Sequence, residues 1–64
     1  MAQVGLKILI VEDDVSLGET LRDSLTRKGH FPFHVTKPDD ALQAVMRQTF
    51  DVFLIDCLLP NMTG

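Results

Sequence analysis

The sequence predicts an α/β fold built on a doubly wound parallel sheet. Two continuous apolar runs, Leu6–Val11 and Val52–Ile55, are typical of strands that are buried on both faces. Between them lie two stretches with helical spacing of apolar residues and one shorter stretch that alternates. Both helical stretches are long enough to connect parallel strands. We therefore predict the element order strand, helix, strand, helix, strand.

The first helix is predicted over Ser16–Lys28. Its apolar stripe consists of leucines that recur every four positions: Leu17, Leu21 and Leu25. Ser16 with Glu19 three residues later fits a capping box, although Asp14 could also be the N-cap. Gly29 stands where a glycine commonly ends a helix.

The second strand is predicted over His30–Thr36, where phenylalanine and valine alternate with histidine and proline. Pro32 cannot donate a ladder hydrogen bond, so this strand should lie at an edge of the sheet. The second helix begins at Pro38, a favoured first helical position, and extends to about Gln48. Right-handed crossovers then give the strand order 2-1-3, with the two helices on opposite faces of the sheet.

Composition and charge exclude several classes of protein. The net charge is −3 and the six basic residues are scattered, which argues against a nucleic-acid interface. No apolar run is long enough to cross a membrane, so we expect a cytoplasmic protein. The one cysteine, Cys57, excludes an intrachain disulfide and is interpreted as a packing residue. His30 and His34 are interpreted as partly exposed strand residues, and the four phenylalanines as core: Phe31, Phe33, Phe50 and Phe53.

Carboxylates follow both buried strands, as Glu12-Asp13-Asp14 after the first and Asp56 at the end of the third. The carboxyl ends of adjacent parallel strands lie at the same sheet edge, about 4.8 Å apart, so these groups should converge. This point is also the ligand-binding switch point of a 2-1-3 sheet. Clustered carboxylates repel one another unless a cation compensates their charge. Mg²⁺ is a suitable cation because it prefers oxygen ligands. Asp14 directly precedes the helix and is interpreted as a cap.

The stretch Ile8–Asp14, together with Asp56–Gly64, resembles the receiver domain of bacterial two-component response regulators. Pro60 and Gly64 stand four and eight residues after Asp56, as in that family. The resemblance implies a flavodoxin-like fold. A complete receiver is about twice as long, so residues 1–64 would be its N-terminal half, β1-α1-β2-α2-β3, with no second domain.

The resemblance also implies a site and a partner. Asp56 would accept a phosphoryl group from a sensor histidine kinase. Asp13, Asp56 and the backbone carbonyl of Leu58 would bind Mg²⁺ or Mn²⁺, with Glu12 supporting the ion through water. A receiver's second half carries a hydroxyl residue and a lysine that contact the phosphoryl group. We therefore expect a phosphoacceptor signalling module of a transcription regulator that cannot switch as this fragment alone.

Two alternatives stay open. The third strand, Val52–Ile55, carries no proline or charge before Asp56. Its unpaired edge would promote aggregation, so we expect either the rest of a domain or a second copy of the chain to cover it. The chain could thus be a non-phosphorylating interaction module that forms a homodimer or a domain-swapped assembly. An aspartate-nucleophile phosphatase fragment is the other alternative, but that chemistry usually needs Asp-x-Asp after strand one, which Glu12-Asp13-Asp14 does not provide. We expect no enzyme acting on external substrates.

Overall fold

The computed structural model describes residues 5–56, and within them it confirms the predicted order of elements. Three strands and two helices follow one another as β1 (Lys7–Glu12), α1 (Val15–Arg27), β2 (Phe31–Val35), α2 (Pro38–Arg47) and β3 (Val52–Asp56). Their ends differ from the predicted ones by no more than one residue. Both β1 and β3 extend one residue further than predicted, because each acidic residue that follows the apolar run still pairs in the sheet.

The sheet has the predicted strand order, β2-β1-β3, and all pairs are parallel. The edge position of β2 agrees with Pro32, which stands opposite Ile8. A reciprocal pair of hydrogen bonds joins the beginnings of β1 and β3. The Lys7 N–H donates to Asp51 Oδ2 over 2.9 Å, and the Asp51 N–H donates to the Lys7 carbonyl over 2.7 Å. These bonds set the register of β3 against the central strand.

Helix α1 begins at the alternative cap and not at the capping box. Asp14 Oδ1 accepts a hydrogen bond of 3.1 Å from the Leu17 N–H, so Asp14 is the N-cap and Ser16 lies within the first turn. At the other end Gly29 has a φ of 90°, a left-handed conformation that costs glycine little and other residues more. The chain can therefore reverse at Gly29 and enter β2.

The two helices cover opposite faces of the sheet, as predicted. On one face Ala44 of α2 packs in a buried cluster with Leu9, Val11 and Val35. On the other face Gly18 of α1 lies against His34, which is in register with Ile10. Because side chains alternate along a strand, these two sets of residues point in opposite directions.

Burial is concentrated on β1, and the predictions for the core were partly wrong. Five consecutive β1 residues are buried, from Ile8 to Glu12. By contrast Met46 of α2 is 83% exposed, and Leu42 is 62% exposed. Three of the four phenylalanines predicted as core are also exposed, and they are Phe31, Phe33 and Phe53. For Phe53 the reason is coverage, because within residues 5–56 no helix packs on β3.

Candidate functional site

The two acidic strand ends come together at one edge of the sheet. In the parallel ladder between β1 and β3, Glu12 stands directly opposite Asp56. Neighbouring strands are about 4.8 Å apart, so the backbone of Asp56 lies beside that of Glu12. Asp13 follows Glu12 in the connection to α1. The predicted convergence of these residues at the carboxyl ends of the strands is therefore present in the backbone.

Glu12 is a buried carboxylate that shapes the turn after β1. Its side chain is 3% exposed and lies on the same face of β1 as Ile8 and Ile10. Its Oε2 accepts a hydrogen bond of 2.9 Å from the Asp14 N–H. Burial of a charged group is costly unless it is paired or hydrogen-bonded. This contact joins the two residues on either side of Asp13, immediately before the helix.

The turn separates the roles of the two aspartates that follow. Asp14 faces the helix and caps it through the Leu17 N–H, as the interpretation of Asp14 required. Asp13 lies between the two hydrogen-bonded residues and is exposed to solvent. A carboxylate that is exposed at the carboxyl edge of the sheet is accessible to a cation or a phosphoryl donor.

His34 contacts this region, which its interpretation as a partly exposed strand residue did not anticipate. Its Nε2 lies 2.9 Å from the backbone carbonyl oxygen of Glu12, and the side chain is half-buried. His30, by contrast, accepts a hydrogen bond of 3.1 Å from the Leu6 N–H through Nδ1 at the opposite end of the sheet. The alternation of β2 and the glycine at position 18 could have suggested that His34 packs under α1.

The residues at this edge are of the type that binds hard divalent cations. Glu12 and Asp13 supply carboxylate oxygens, and Asp56 stands in register with Glu12. Oxygen donors at the end of a parallel sheet are what Mg²⁺ prefers. Among the side chains that the structure describes, no group of three His, Cys, Asp or Glu is gathered around one point. The predicted ligand Leu58, with Cys57, Pro60 and Gly64, lies outside the described residues.

Comparison with known proteins identifies the family. A family model described as the response regulator receiver domain matches residues 8–64. The chain belongs to the response regulator receiver domain family, so the resemblance carried by the acidic motifs is confirmed. The β-α-β-α-β order with strands 2-1-3 is consistent with part of the flavodoxin-like fold of that family.

Curated relatives include transcriptional regulators from several bacteria. The chain is 36% identical over 61 residues to the transcriptional regulatory protein YrkP of Bacillus subtilis, and it spans 26% of that protein. It is 38% identical over 61 residues to the response regulator protein FleR of Pseudomonas aeruginosa, of which it spans 13%. These matches cover 95% of the chain. The chain thus spans about a quarter or less of these relatives.

No solved structure is a significant match to the chain. Among the helices in the described part of the chain, none is long and apolar enough to cross a membrane.

Proposed function

We propose that the chain is a phosphoacceptor module of a two-component system, in which Asp56 receives a phosphoryl group from a sensor histidine kinase. The observation that carries this proposal is the register between Glu12 and Asp56. It brings an acidic pair and a second acidic strand end to one edge of a parallel sheet, where such folds bind ligands. The module signals through its own modification and does not turn over an external substrate.

The chemistry requires a nucleophile and a means of neutralising charge. A carboxylate oxygen of Asp56 would attack the phosphorus, and the bond from phosphorus to the donor's imidazole nitrogen would break, which leaves an acyl phosphate on Asp56. Asp13, Asp56 and the Leu58 carbonyl would hold Mg²⁺ or Mn²⁺, with Glu12 acting through water. The ion would neutralise the charge of the phosphoryl oxygens. The buried Glu12 keeps the turn in place that presents Asp13.

The partners and location follow from the same proposal. A receiver domain works with a histidine kinase, and we place this one in the cytoplasm, a reducing compartment that suits the single thiol of Cys57. In a receiver domain a hydroxyl residue and a lysine of the second half couple phosphorylation to a surface change. We therefore propose that these 64 residues alone do not switch, and that they are the N-terminal half of such a domain.

Replacement of Asp13 by asparagine should weaken Mn²⁺ binding at least about tenfold, because a direct carboxylate ligand is lost. Binding can be measured by electron paramagnetic resonance of free Mn²⁺ during titration. The matched control is Asp14→Asn, which removes the same charge from the neighbouring position and keeps a good N-cap. Equal affinities of the Asp13 and Asp14 variants would contradict the assignment of Asp13.

A second candidate function is self-association through β3. Ile55 is 69% exposed, and Phe53 and Leu54 are also exposed, so apolar side chains remain open on both faces of this strand. Within residues 5–56, β3 pairs only with β1, and its outer edge is available for another strand. A second copy of the chain offers the same strand, and two such edges can pair symmetrically.

We expect the chain to have a mass above that of the monomer at micromolar concentrations, measured by sedimentation equilibrium. Ile55→Lys should shift it to the monomer, because a charge on β3 opposes pairing. Met46→Lys is the control, since it places the same charge at a more exposed apolar residue of α2. A wild-type monomer that unfolds cooperatively would eliminate this candidate.

A further inference from the structure

His34 contacts the acidic edge from the neighbouring strand. It lies on β2, whose pairing with β1 ends at Val11 and Val35. Its Nε2 reaches one residue beyond that point, to the Glu12 carbonyl oxygen at 2.9 Å. The contact is therefore made at the peptide that joins Glu12 to Asp13.

The position of this contact continues the hydrogen-bond ladder. The Leu6 carbonyl accepts from the Phe31 N–H of β2, and parallel pairing repeats every two residues along a strand. The Glu12 carbonyl, six residues on, thus faces β2 after that strand has ended at Val35. The imidazole of His34 donates a hydrogen bond to this carbonyl, which lies beyond the last residue of β2. Because a carbonyl oxygen only accepts, Nε2 must carry the proton.

A glycine in α1 makes room for the imidazole ring. Gly18 is the one α1 residue that is fully buried. A Cβ built at this position would overlap the His34 Cε1 and Nε2 atoms. Glycine destabilises a helix interior relative to alanine. Its presence here is explained by the close approach of helix and ring.

We propose that His34 is a positioning residue for the metal site. The Glu12 carbonyl and the Asp13 N–H belong to one rigid peptide plane. A hydrogen bond to that oxygen fixes the plane, and with it the direction in which the Asp13 carboxylate leaves the backbone. The proposal rests on the proposed function of Asp13 as a metal ligand and adds the residue that orients it.

The first test compares His34→Leu with His34→Gln in the full 64-residue chain, with the Mn²⁺ dissociation constant as the readout. Leucine removes the donor and should weaken binding about tenfold, as loss of an orienting partner typically does. Glutamine places an amide N–H near the position of Nε2 and should restore affinity to within about threefold of the wild type. Urea unfolding of each variant records stability separately. His30→Leu, at the other end of the sheet, should leave Mn²⁺ affinity unchanged.

Gly18→Ala tests the same contact without changing His34. The added methyl group should displace the ring and weaken Mn²⁺ binding about as much as His34→Leu does, although alanine favours the helix. A purely structural role for His34 predicts instead that affinity follows stability in all variants. The proposal is overturned if His34→Gln binds no better than His34→Leu, or if both Gly18→Ala and His34→Leu bind as the wild type does.

A metal-free measurement separates this inference from the proposed function. Nitrogen-15 spectra of the neutral His34 ring should show the proton on Nε2, and the Nδ1–H tautomer would overturn the inference. A wild-type chain that fails to bind Mn²⁺ would contradict the proposed function instead. The ring spectrum would then still decide whether His34 holds the Glu12 carbonyl.

Discussion

Replacement of Asp56 by asparagine is expected to abolish phosphoryl transfer to this receiver domain. An amide oxygen is a poor nucleophile, so no acyl phosphate can form at that position. The expectation applies to a protein in which these 64 residues are followed by the second half of a receiver domain. Incubation with Mg²⁺ and a small phosphodonor should add one phosphoryl group, detected by mass spectrometry and located at Asp56 by hydroxylamine cleavage.

The control for this substitution is Asp39→Asn, which removes a carboxylate from the exposed first turn of α2 and should leave labelling unchanged. The 64-residue chain alone should label weakly or not at all, because a receiver's hydroxyl residue and lysine are not among its matched positions. Labelling that persists in the Asp56 variant would move the phosphoacceptor to another residue. Equal labelling of the short and extended proteins would contradict the need for the second half.

Replacement of Leu9 by alanine should unfold the 64-residue chain. Leu9 is 1% exposed and lies in the cluster formed by Val11, Val35 and Ala44. Truncation of a buried leucine typically costs about 2–5 kcal/mol. A core in a chain of fewer than roughly 70–80 residues rarely supplies more than about 3–5 kcal/mol. The substitution therefore removes about as much stability as the whole fold is expected to have.

The matched control is Leu42→Ala, which makes the same chemical change at a residue that is 62% exposed and should alter stability by no more than about 0.5 kcal/mol. Urea unfolding followed by circular dichroism distinguishes the two variants. All chains must be compared at one protein concentration, since association would stabilise the folded state. Similar unfolding midpoints for the two variants would show that Leu9 is not the centre of the core.

The arrangement of the sheet could be predicted from single residues, whereas the extent of burial could not. Pro32 alone assigned β2 to an edge, and the two apolar runs then required the order found. No single residue of the sequence indicated that Leu42 and Met46 would be exposed. Apolar spacing indicates which side of a helix prefers burial, but not whether a neighbouring element is there to cover it. The same reason explains why Phe53 was wrongly assigned to the core.

The candidate site also has one part that could be predicted from the sequence and one part that could not. The position of Asp56 beside Glu12 follows from parallel pairing, because strand ends at one edge must lie together. The role proposed for His34 depends on a contact between three elements: β2 carries the ring, β1 accepts its hydrogen bond and α1 leaves space for it. Local patterns describe one element at a time. A contact of this kind becomes visible only when register and helix rotation are both known.

The central position of β1 in the sheet also affects the order in which the chain can fold. β1 is synthesised before either of its partner strands. Its pairing with β2 joins residues 24 apart in the chain, as in Lys7 and Phe31, and its pairing with β3 joins residues 44 apart, as in Ile8 and Val52. Both helices can form from local contacts in the meantime, but the apolar residues of β1 stay unpaired until β2 and β3 are available. Folding should therefore be slow for so short a chain. During synthesis, the strand that later holds the sheet together is the one most open to capture by chaperones or by wrong partners.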